Sequence, residues 1–201
     1  MVRDAYKFAL PVLTLGIVFL FLDLWYVAVF FLLIGCFICY FFRNPYRVIP
    51  DSPNLIVSPA DGKVVKIADG PEGERTISIF LSIFDVHVNR SPVSGELKSL
   101  EYKRGRFKVA FDEEASRVNE QNVLTIQQGD GIRVTVRQIA GLIARRVICW
   151  KKPGDSLKRG ELVGLIRFGS RVDIVVPERT KLMVKVGERV RGGSSIIGEY
   201  L

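Results

Sequence analysis

The sequence predicts a mainly β domain over residues 50–201, preceded by an apolar helical hairpin within residues 1–49. Three observations carry this prediction. Residues 8–42 contain one charged residue, Asp23, whereas the remainder has the composition of a water-soluble domain. From Leu55 onward, short β-branched runs alternate with glycine and proline, and no long helical period appears. Turn-rich segments of this domain also recur at an offset of 33 residues.

The apolar segment is long enough for two membrane-crossing arms, at about residues 5–22 and 24–42, because about 20 helical residues cross a bilayer core. A charge at the middle of the bilayer costs a few kcal/mol, so we expect Asp23 at the turn of a transmembrane hairpin. Basic residues flank both ends of the hairpin, which predicts that both ends face the cytoplasm. These flanking residues are Arg3, Lys7, Arg43 and Arg47.

Two alternatives to the hairpin concern the same segment. A cleaved signal peptide would have a shorter apolar run followed by a small-residue cleavage site, and this sequence has neither. A single span whose first arm lies at the membrane surface is a second alternative, which the sequence leaves open. Cys36 and Cys39 have redox-like spacing, but cysteine within an apolar helix is more typical of apolar filler.

Composition excludes several classes of protein. The 201 residues include three cysteines and one histidine, too few for a disulfide framework or a zinc site, so we expect no metal. A hydrophobic content of 48% excludes a long disordered chain. The net charge of +8 is spread without a recognisable motif, so we expect no nucleic-acid partner.

The boundary between anchor and β domain is marked by prolines. Asn44 precedes Pro45, which disfavours continued helix, and Pro50 and Pro53 extend a short linker. Beyond it, Phe111–Asn119 is the best candidate for a helical turn or a long loop. The predicted strands are Val64–Ile67, Thr76–Leu81, Val86–Arg90, Leu97–Tyr102, Val123–Gln127, Ile132–Ile139, Leu142–Cys149, Leu162–Ile166, Val172–Val176 and Leu182–Val186.

Two pairs of segments repeat within the β domain. Ser58–Val64 matches Ser91–Leu97 at an offset of 33, and both begin with Ser-Pro and carry a glycine at their fifth position. Lys152–Gly164 resembles Lys185–Gly198 at an offset of 33 or 34. Each unit is a turn, a strand and a second turn, with glycines where a positive φ is needed. Such units look like the barrel-sandwich architecture of lipoyl and biotinyl domains, which predicts a scaffold but no function.

Three residues of the β domain could carry chemistry. His87 lies on the polar face of a predicted strand, Asp61 in a Pro-Ala-Asp-Gly turn, and Ser170 after Gly169 between two predicted strands. Together they supply a base, a carboxylate that could orient the base, and a hydroxyl nucleophile. Each also has an ordinary structural explanation, as a hydrogen-bonded histidine, a turn aspartate and a hairpin serine. Spacing alone leaves both interpretations open.

Three strings of residues in this chain resemble the phosphatidylserine decarboxylase family. They are Asp-Val-His-Val-Asn-Arg-Ser-Pro around His87, Ile-Ala-Gly-Leu-Ile-Ala-Arg-Arg at 139–146, and Phe-Gly-Ser-Arg-Val-Asp at 168–173. The resemblance is to the short form of the family, which has an N-terminal membrane hairpin. It runs from the linker to the C-terminus.

The resemblance implies a self-processing enzyme that decarboxylates phosphatidylserine to phosphatidylethanolamine. Its cofactor would be a covalent pyruvoyl group, a form of pyruvate, made when Ser170 attacks the carbonyl of Gly169. Cleavage there would leave a large chain, 1–169, and a small chain, 170–201. By the same resemblance Ser170 becomes the Schiff-base site for the substrate amine, His87 is the base and proton donor, and Asp61 orients His87.

The resemblance also implies a phospholipid substrate in the bilayer, and a catalytic domain on the cytoplasmic face of the cell membrane. Tethering the domain to that surface raises its effective concentration near the substrate. Basic groups at 103–108 and 145–152 either face anionic headgroups or form solvated strand edges. Two rival functions stay open, namely decarboxylation of an ether-linked archaetidylserine and a non-enzymatic, membrane-anchored lipoyl-like adaptor. A homo-oligomer also stays open.

Overall fold

The computed structural model describes residues 1–70, 73–106, 115–129, 131–141, 146–167 and 170–200. The chain divides into two compact units, Met1–Tyr46 and Arg47–Leu201, and each is described by itself. The first unit is helical and the second contains all the described strands. The predicted mainly β class is therefore confirmed.

The first unit is a helical hairpin. A short 3₁₀ turn over Arg3–Ala5 leads into helix α1, Tyr6–Phe21, and helix α2 spans Trp25–Phe41. Asp23 lies in the turn between them with a φ of 57°, a conformation that aspartate tolerates better than most residues. The segment Arg3–Phe21, with 19 residues, is long and apolar enough to cross a membrane, whereas Trp25–Phe41 is apolar but shorter. This criterion rests on length and composition alone.

Two glycines allow the helices α1 and α2 to pack closely. A Cβ atom at Gly16 would lie 2.9 Å from the side chain of Leu32, and one at Gly35 would lie 2.3 Å from that of Leu13. Small residues permit this approach between helices, as they commonly do inside membranes.

The second unit consists of short strands. These are β1 (Leu55–Val57), β2 (Gly62–Asp69), β3 (Arg75–Leu81), β4 (Val88–Arg90), β5 (Gly95–Lys103), β6 (Gln121–Gln127), β7 (Arg133–Ile139), β8 (Val147–Cys149), β9 (Ser156–Leu157), β10 (Leu162–Ile166), β11 (Ser170–Val176), β12 (Thr180–Leu182), β13 (Arg189–Val190) and β14 (Ile196–Tyr200). A one-turn helix, α3, spans Ala115–Val118.

The strands form three sheets in which every described pair is antiparallel. The largest has the order β13-β2-β3-β11-β7-β6-β5-β9, and the two smaller sheets have the orders β1-β14-β12 and β4-β10-β8. Strand β11 is therefore central, between β3 and β7. Alternate residues of these strands face the core, where Ile77, Ile79, Val172 and Ile174 are fully buried.

The predicted 33-residue repeat is confirmed by equivalent hydrogen bonds. The hydroxyls of Ser58 and Ser91 each donate to the carbonyl two residues on, at 2.6 and 2.7 Å. The N–H of Gly193 donates to the Ser58 carbonyl and that of Gly160 to the Ser91 carbonyl, both at 2.8 Å. Both glycines have a positive φ, 81° and 77°, which glycine adopts without steric cost. The two halves of the scaffold are thus built alike.

One predicted strand is wrong in part. We predicted a strand over Leu182–Val186, whereas β12 ends at Leu182. A tight turn follows, in which the N–H of Glu188 donates to the carbonyl of Lys185 at 3.2 Å. Gly187, within this turn, has a φ of 97°, which is incompatible with an extended strand.

Two other predicted segments fall partly outside the described residues. Residues 142–145 of the predicted strand Leu142–Cys149 lie outside them, and the described remainder forms β8. Residues 111–114 of the Phe111–Asn119 segment also lie outside, and α3 is within the remainder. The predicted cleavage-site glycine, Gly169, lies outside the described residues as well.

Candidate active site

Ser170 is the first residue of the central strand β11. It pairs with Leu81 of β3 and is fully buried. It shares the inner face of the sheet with Val172 and Ile174, because side chains alternate along a strand. Its Oγ is inaccessible to solvent and has no hydrogen-bond partner among the described residues. A buried hydroxyl without a partner costs about 1–3 kcal/mol, so this position is unfavourable for a purely structural serine.

His87 precedes β4 and is 1% exposed. Its Nδ1 lies 3.0 Å from the backbone carbonyl oxygen of Asp85. A carbonyl oxygen only accepts hydrogen bonds, so Nδ1 must carry the proton in this contact. In the neutral imidazole the Nε2 atom then holds the lone pair, which is the state that a general base requires.

Backbone pairing brings the His87 segment towards the Ser170 segment. The N–H of Ile166, the last residue of β10, donates to the His87 carbonyl at 3.2 Å. Ser170 follows Ile166 by four residues, a stretch that spans at most about 14 Å. Leu81, the partner of Ser170, precedes His87 by six residues in the chain. His87 lies on the connection from β3 to β4, and Ser170 stands at the end of the connection from β10 to β11. Because β3 pairs with β11 and β4 pairs with β10, the two connections run between the same strand pairs.

Asp61 is held by other partners. Its Oδ2 accepts a hydrogen bond from Nη2 of Arg47 at 2.6 Å, and its Oδ1 accepts one from the N–H of Gly192 at 2.8 Å. Among the described residues it makes no hydrogen bond to His87. The hydrogen bonds of Asp61 among the described residues therefore go to Arg47 and Gly192, and none of them orients the His87 imidazole.

The Asp61–Gly192 contact also belongs to the repeated scaffold. At the equivalent place in the other half, Ser94 Oγ accepts a hydrogen bond from the N–H of Arg159 at 3.0 Å. Ser94 is 33 residues after Asp61, and Gly192 is 33 residues after Arg159. One oxygen of Asp61 is thus accounted for by the turn, and the other binds the linker through Arg47.

Arg90 adds a second positive charge close to Asp61. Burial and the nearby Arg47 lower the pKa of the Arg90 guanidinium, while the Asp61 carboxylate opposes that shift. The N–H of Arg90 donates to the carbonyl of Pro59 at 2.9 Å, which ties β4 to the turn that contains Asp61. Because His87 directly precedes β4, this turn influences where His87 lies.

A set of buried amides that was not predicted from the sequence lies on the same inner face. Asn89, Asn122 and Gln138 are at most 5% exposed and form a hydrogen-bonded chain. A signal for this chain was available in the alternation of β7, where Gln138 follows Val134 and Val136 on the face that the core requires to be apolar.

The described groove of about 880 Å³ belongs to the other end of β11. Val176, the last residue of that strand, lines it together with Arg133 and Tyr200. Val176 follows Ser170 by six positions, about 20 Å of strand. Burial raises the pKa of the Tyr200 hydroxyl well above its ordinary value. The groove is therefore no part of the candidate active site.

Within the described ranges, no cluster of three or more histidine, cysteine, aspartate or glutamate side chains could hold a metal ion. Of the basic groups predicted to face headgroups, Lys103, Arg104 and Arg106 are exposed. Lys151 is instead bound to the carboxylate of Glu161. Residues 107–108 and 145 lie outside the described residues.

Comparison with known proteins places the chain in a family. The family model described as phosphatidylserine decarboxylase matches residues 34–198. A phosphatidylserine decarboxylase proenzyme of Syntrophus aciditrophicus is 45% identical over 186 residues, which cover 90% of this chain and 87% of the relative. The proenzyme of Solibacter usitatus is 51% identical over 171 residues, covering 85% and 82%. That of Carboxydothermus hydrogenoformans is 42% identical over 207 residues, covering 98% and 95%. The chain is therefore a member of the phosphatidylserine decarboxylase family.

Proposed function

We propose that this protein decarboxylates phosphatidylserine to phosphatidylethanolamine after cutting itself ahead of Ser170. The observation that carries the proposal is the Ser170 hydroxyl, buried without a hydrogen-bond partner at the start of the central strand. Relatives that align with most of the chain are named proenzymes, which supports a cut during maturation.

In the proposed self-cleavage, Ser170 Oγ adds to the carbonyl carbon of Gly169 and gives its proton to Nε2 of His87. The bond between that carbon and the Ser170 nitrogen then breaks, the nitrogen takes a proton, and an ester links the two parts of the chain. Elimination across the Cα–Cβ bond of Ser170 releases the large chain 1–169. The dehydroalanine left on the small chain tautomerises to an imine, and water hydrolyses the imine to a pyruvoyl group at the start of chain 170–201 with release of ammonia.

The Ser170 site fits a pyruvoyl group. The group would be made from a side chain that is already enclosed and that has no described hydrogen bond to give up. When present, the pyruvoyl carbonyl supplies the electron sink that the loss of CO2 from an amino acid requires. The flanking strands β3 and β7 hold its position, and the burial of their inner face excludes water. His87 returns a proton to the substrate carbon.

For Asp61 we propose a positioning role that reaches His87 through the fold. Its turn is bonded to β4 by the Arg90–Pro59 contact, and its carboxylate lies near the Arg90 guanidinium. Neutralising Asp61 would loosen the turn and move the residue that precedes β4. This role retains the orientation of His87 that the family resemblance implies, without the direct hydrogen bond.

We further propose that the hairpin of α1 and α2 holds the catalytic domain at the cytoplasmic face of the cell membrane. The apolar length of Arg3–Phe21 and the flanking basic residues support this placement. The substrate has acyl chains in the bilayer and a headgroup at its surface, so a tethered domain meets it at high effective concentration.

A denaturing gel with intact-mass analysis tests the self-cleavage. The wild-type protein should separate into chains 1–169 and 170–201, and the small chain should lack a free amine at its start. Ser170→Ala should stay one chain and be inactive. Ser91→Ala is the matched control, because Ser91 is equally buried but bonds a carbonyl in a scaffold turn, and it should still cut itself. Full turnover by uncut wild-type protein would overturn the proposal.

A further inference from the structure

A chain of buried amides in the second unit ends in an unused donor. Asn122 Nδ2 donates to Gln138 Oε1 at 3.1 Å, and Gln138 Nε2 donates to Asn89 Oδ1 at 2.8 Å. Asn89 Nδ2 is inaccessible to solvent and has no hydrogen-bond partner among the described residues. Asn89 itself is fully buried. The chain therefore runs in one direction and leaves an N–H donor at its last member.

The direction of this chain fixes the orientation of the Asn89 amide. Its oxygen must face Gln138, because Gln138 Nε2 can only donate. Its nitrogen must then face away from Gln138. Rotating the Asn89 amide by half a turn would set two N–H groups against each other, so the free donor is held in place by the neighbouring residues.

A glycine makes room for this contact. Gly164 of β10 pairs with Asn89 of β4, and a Cβ atom there would lie 3.0 Å from Gln138 Nε2 and 2.0 Å from the carbonyl oxygen of Ile148. Any side chain at this position would collide with the backbone of β8. The Gln138 amide thus reaches Asn89 past Gly164, where β10 has no side chain.

The amide chain lies on the inner face that also carries Ser170. Gln138 of β7 pairs with Val172 of β11, and Ser170 lies two residues before Val172 on the same face. Ser170 and Gln138 are therefore diagonal neighbours, whose Cα atoms are about 7–8 Å apart in such a pair. Asn89 of β4, two residues after His87, meets this face through its hydrogen bond with Gln138.

We infer that Asn89 Nδ2 is the hydrogen-bond donor for the oxyanion that forms when Ser170 attacks the preceding carbonyl, an inference that rests on the proposed self-cleavage. Ser170 Oγ bonds to the carbonyl carbon, the π electrons of the carbonyl move to the carbonyl oxygen, and the hydroxyl proton goes to His87. The Asn89 side-chain N–H donates a hydrogen bond to that negatively charged oxygen. This hydrogen bond lasts until the C–N bond breaks and the carbonyl is restored. A neutral donor held in a dry site stabilises such an oxygen without first giving up a hydrogen bond to water.

The unused donor is costly unless it has this task. A buried N–H without an acceptor destabilises the folded chain by about 1–3 kcal/mol, and that penalty is recovered only when an acceptor arrives. Asn122 and Gln138 have their described hydrogen bonds in the resting chain, and they act as positioning residues. Asn89 alone in this row has its donor unused among the described residues.

Self-cleavage of newly made full-length chain in a cell-free translation, followed on a gel over time, tests the inference. Asn89→Leu keeps the branched shape of the side chain and removes the donor, and it should slow cleavage about 100-fold. Gln138→Glu offers Asn89 an acceptor, so the Asn89 amide rotates and turns its oxygen towards the site. That variant should slow cleavage to a similar extent although residue 89 is unchanged.

Thr180→Val is the matched control. Thr180 Oγ1 is also buried and without a partner among the described residues, but it lies in β12, away from the amide chain. This variant should cut itself at the wild-type rate. Thermal unfolding of each variant, in the uncut Ser170→Ala background, shows that it is folded.

The outcomes separate the two proposals. Wild-type cleavage together with an equally fast, folded Asn89→Leu or Gln138→Glu chain would overturn the role of Asn89 and leave the proposed function intact. Slow cleavage by Thr180→Val would also overturn it, because the effect would then follow from any lost buried polar atom. Failure of the wild-type chain to cut itself would instead contradict the proposed function.

Discussion

Arg171 forms a buried ion pair with Asp173, whose Oδ1 lies 2.6 Å from Arg171 Nε. The side chains are 6% and 1% exposed, and they project from the face of β11 opposite to Ser170. Arg171 Nη2 also donates to Ser78 Oγ of β3 at 2.6 Å. The ion pair thus lies within β11, and a hydrogen bond from its guanidinium joins that strand to β3 immediately beside the predicted cut.

Removing one member of this pair should destabilise the domain strongly. Arg171→Met leaves the Asp173 carboxylate buried and uncompensated, and we expect a loss of about 3–5 kcal/mol in the free energy of unfolding. The double variant Arg171→Met with Asp173→Leu should recover a large part of the loss. Urea unfolding in the Ser170→Ala background measures both. Lys98→Met, which breaks the exposed pair of Lys98 with Glu96, should cost at most about 1 kcal/mol. A double variant as unstable as the single one would contradict this prediction.

Self-cleavage should depend on the His87 imidazole. Its Nε2 is the proposed acceptor of the Ser170 proton, and a neutral amide side chain cannot take up that proton. His87→Gln should therefore cut itself about 100-fold more slowly or worse. A time course of chain separation measures this. An unchanged rate in His87→Gln would remove His87 from this step.

Asp61 and Arg47 should affect self-cleavage equally if Asp61 acts through its turn. Asp61→Asn keeps an acceptor for the Gly192 N–H but loses the charge that binds Arg47, and Arg47→Gln loses the same ion pair from the other side. We expect each variant to cut itself about tenfold more slowly, which corresponds to about 1.4 kcal/mol. The gel assay compares the two rates. Slow cleavage in Asp61→Asn with a normal rate in Arg47→Gln would show instead that the carboxylate acts on His87 directly.

Glu161 should make the domain sensitive to acid. Burial raises the pKa of this carboxyl, but its hydrogen bonds from the Lys151 ammonium and the Lys158 N–H outweigh burial, so the net shift is downward. The contribution of Glu161 to stability is therefore complete above its unfolded-state pKa, about 4.3, and is lost as the pH falls through the lower folded-state value.

Glu161→Gln should accordingly unfold at a lower temperature than the wild type at pH 7, and the difference should shrink under acidic conditions. Thermal midpoints in the Ser170→Ala background, at neutral and acidic pH, measure this. Glu96→Gln serves as the control, since its exposed pair with Lys98 contributes little. A difference that is independent of pH would show that the Glu161 charge has no part in it.

The scaffold was predictable because its signals are local. Alternating β-branched residues such as Val172 and Ile174 predict β11, and the matched Ser-Pro turns at Ser58 and Ser91 predict the repeat. In each case the residues that form the sequence pattern also form the strand or the turn that the pattern predicts. The strand boundaries were less predictable, as at Leu182, because a following turn decides where the ladder ends.

The contacts of the candidate site were not predictable in this way. Asp61 binds residues 14 positions before it and 131 positions after it, and no local pattern encodes either partner. The amides of Gln138 and Asn89 meet only because β7 and β4 belong to different sheets that face each other. The family resemblance pointed to His87 and Ser170, but the partners of a buried polar atom depend on register between distant strands.

The pairing of the last strands has a consequence for the mature protein. Strand β11 pairs with β3 and β7, β13 pairs with β2, and β14 pairs with β1, so the segment after the predicted cut is interwoven with the segment before it. A cut ahead of Ser170 would therefore yield two polypeptides that behave as complementing fragments of one fold. Reassembly after denaturation would become bimolecular and dependent on protein concentration, whereas the intact precursor folds in a unimolecular reaction. Once processed and then denatured, the two-chain enzyme would thus refold less readily than the intact precursor.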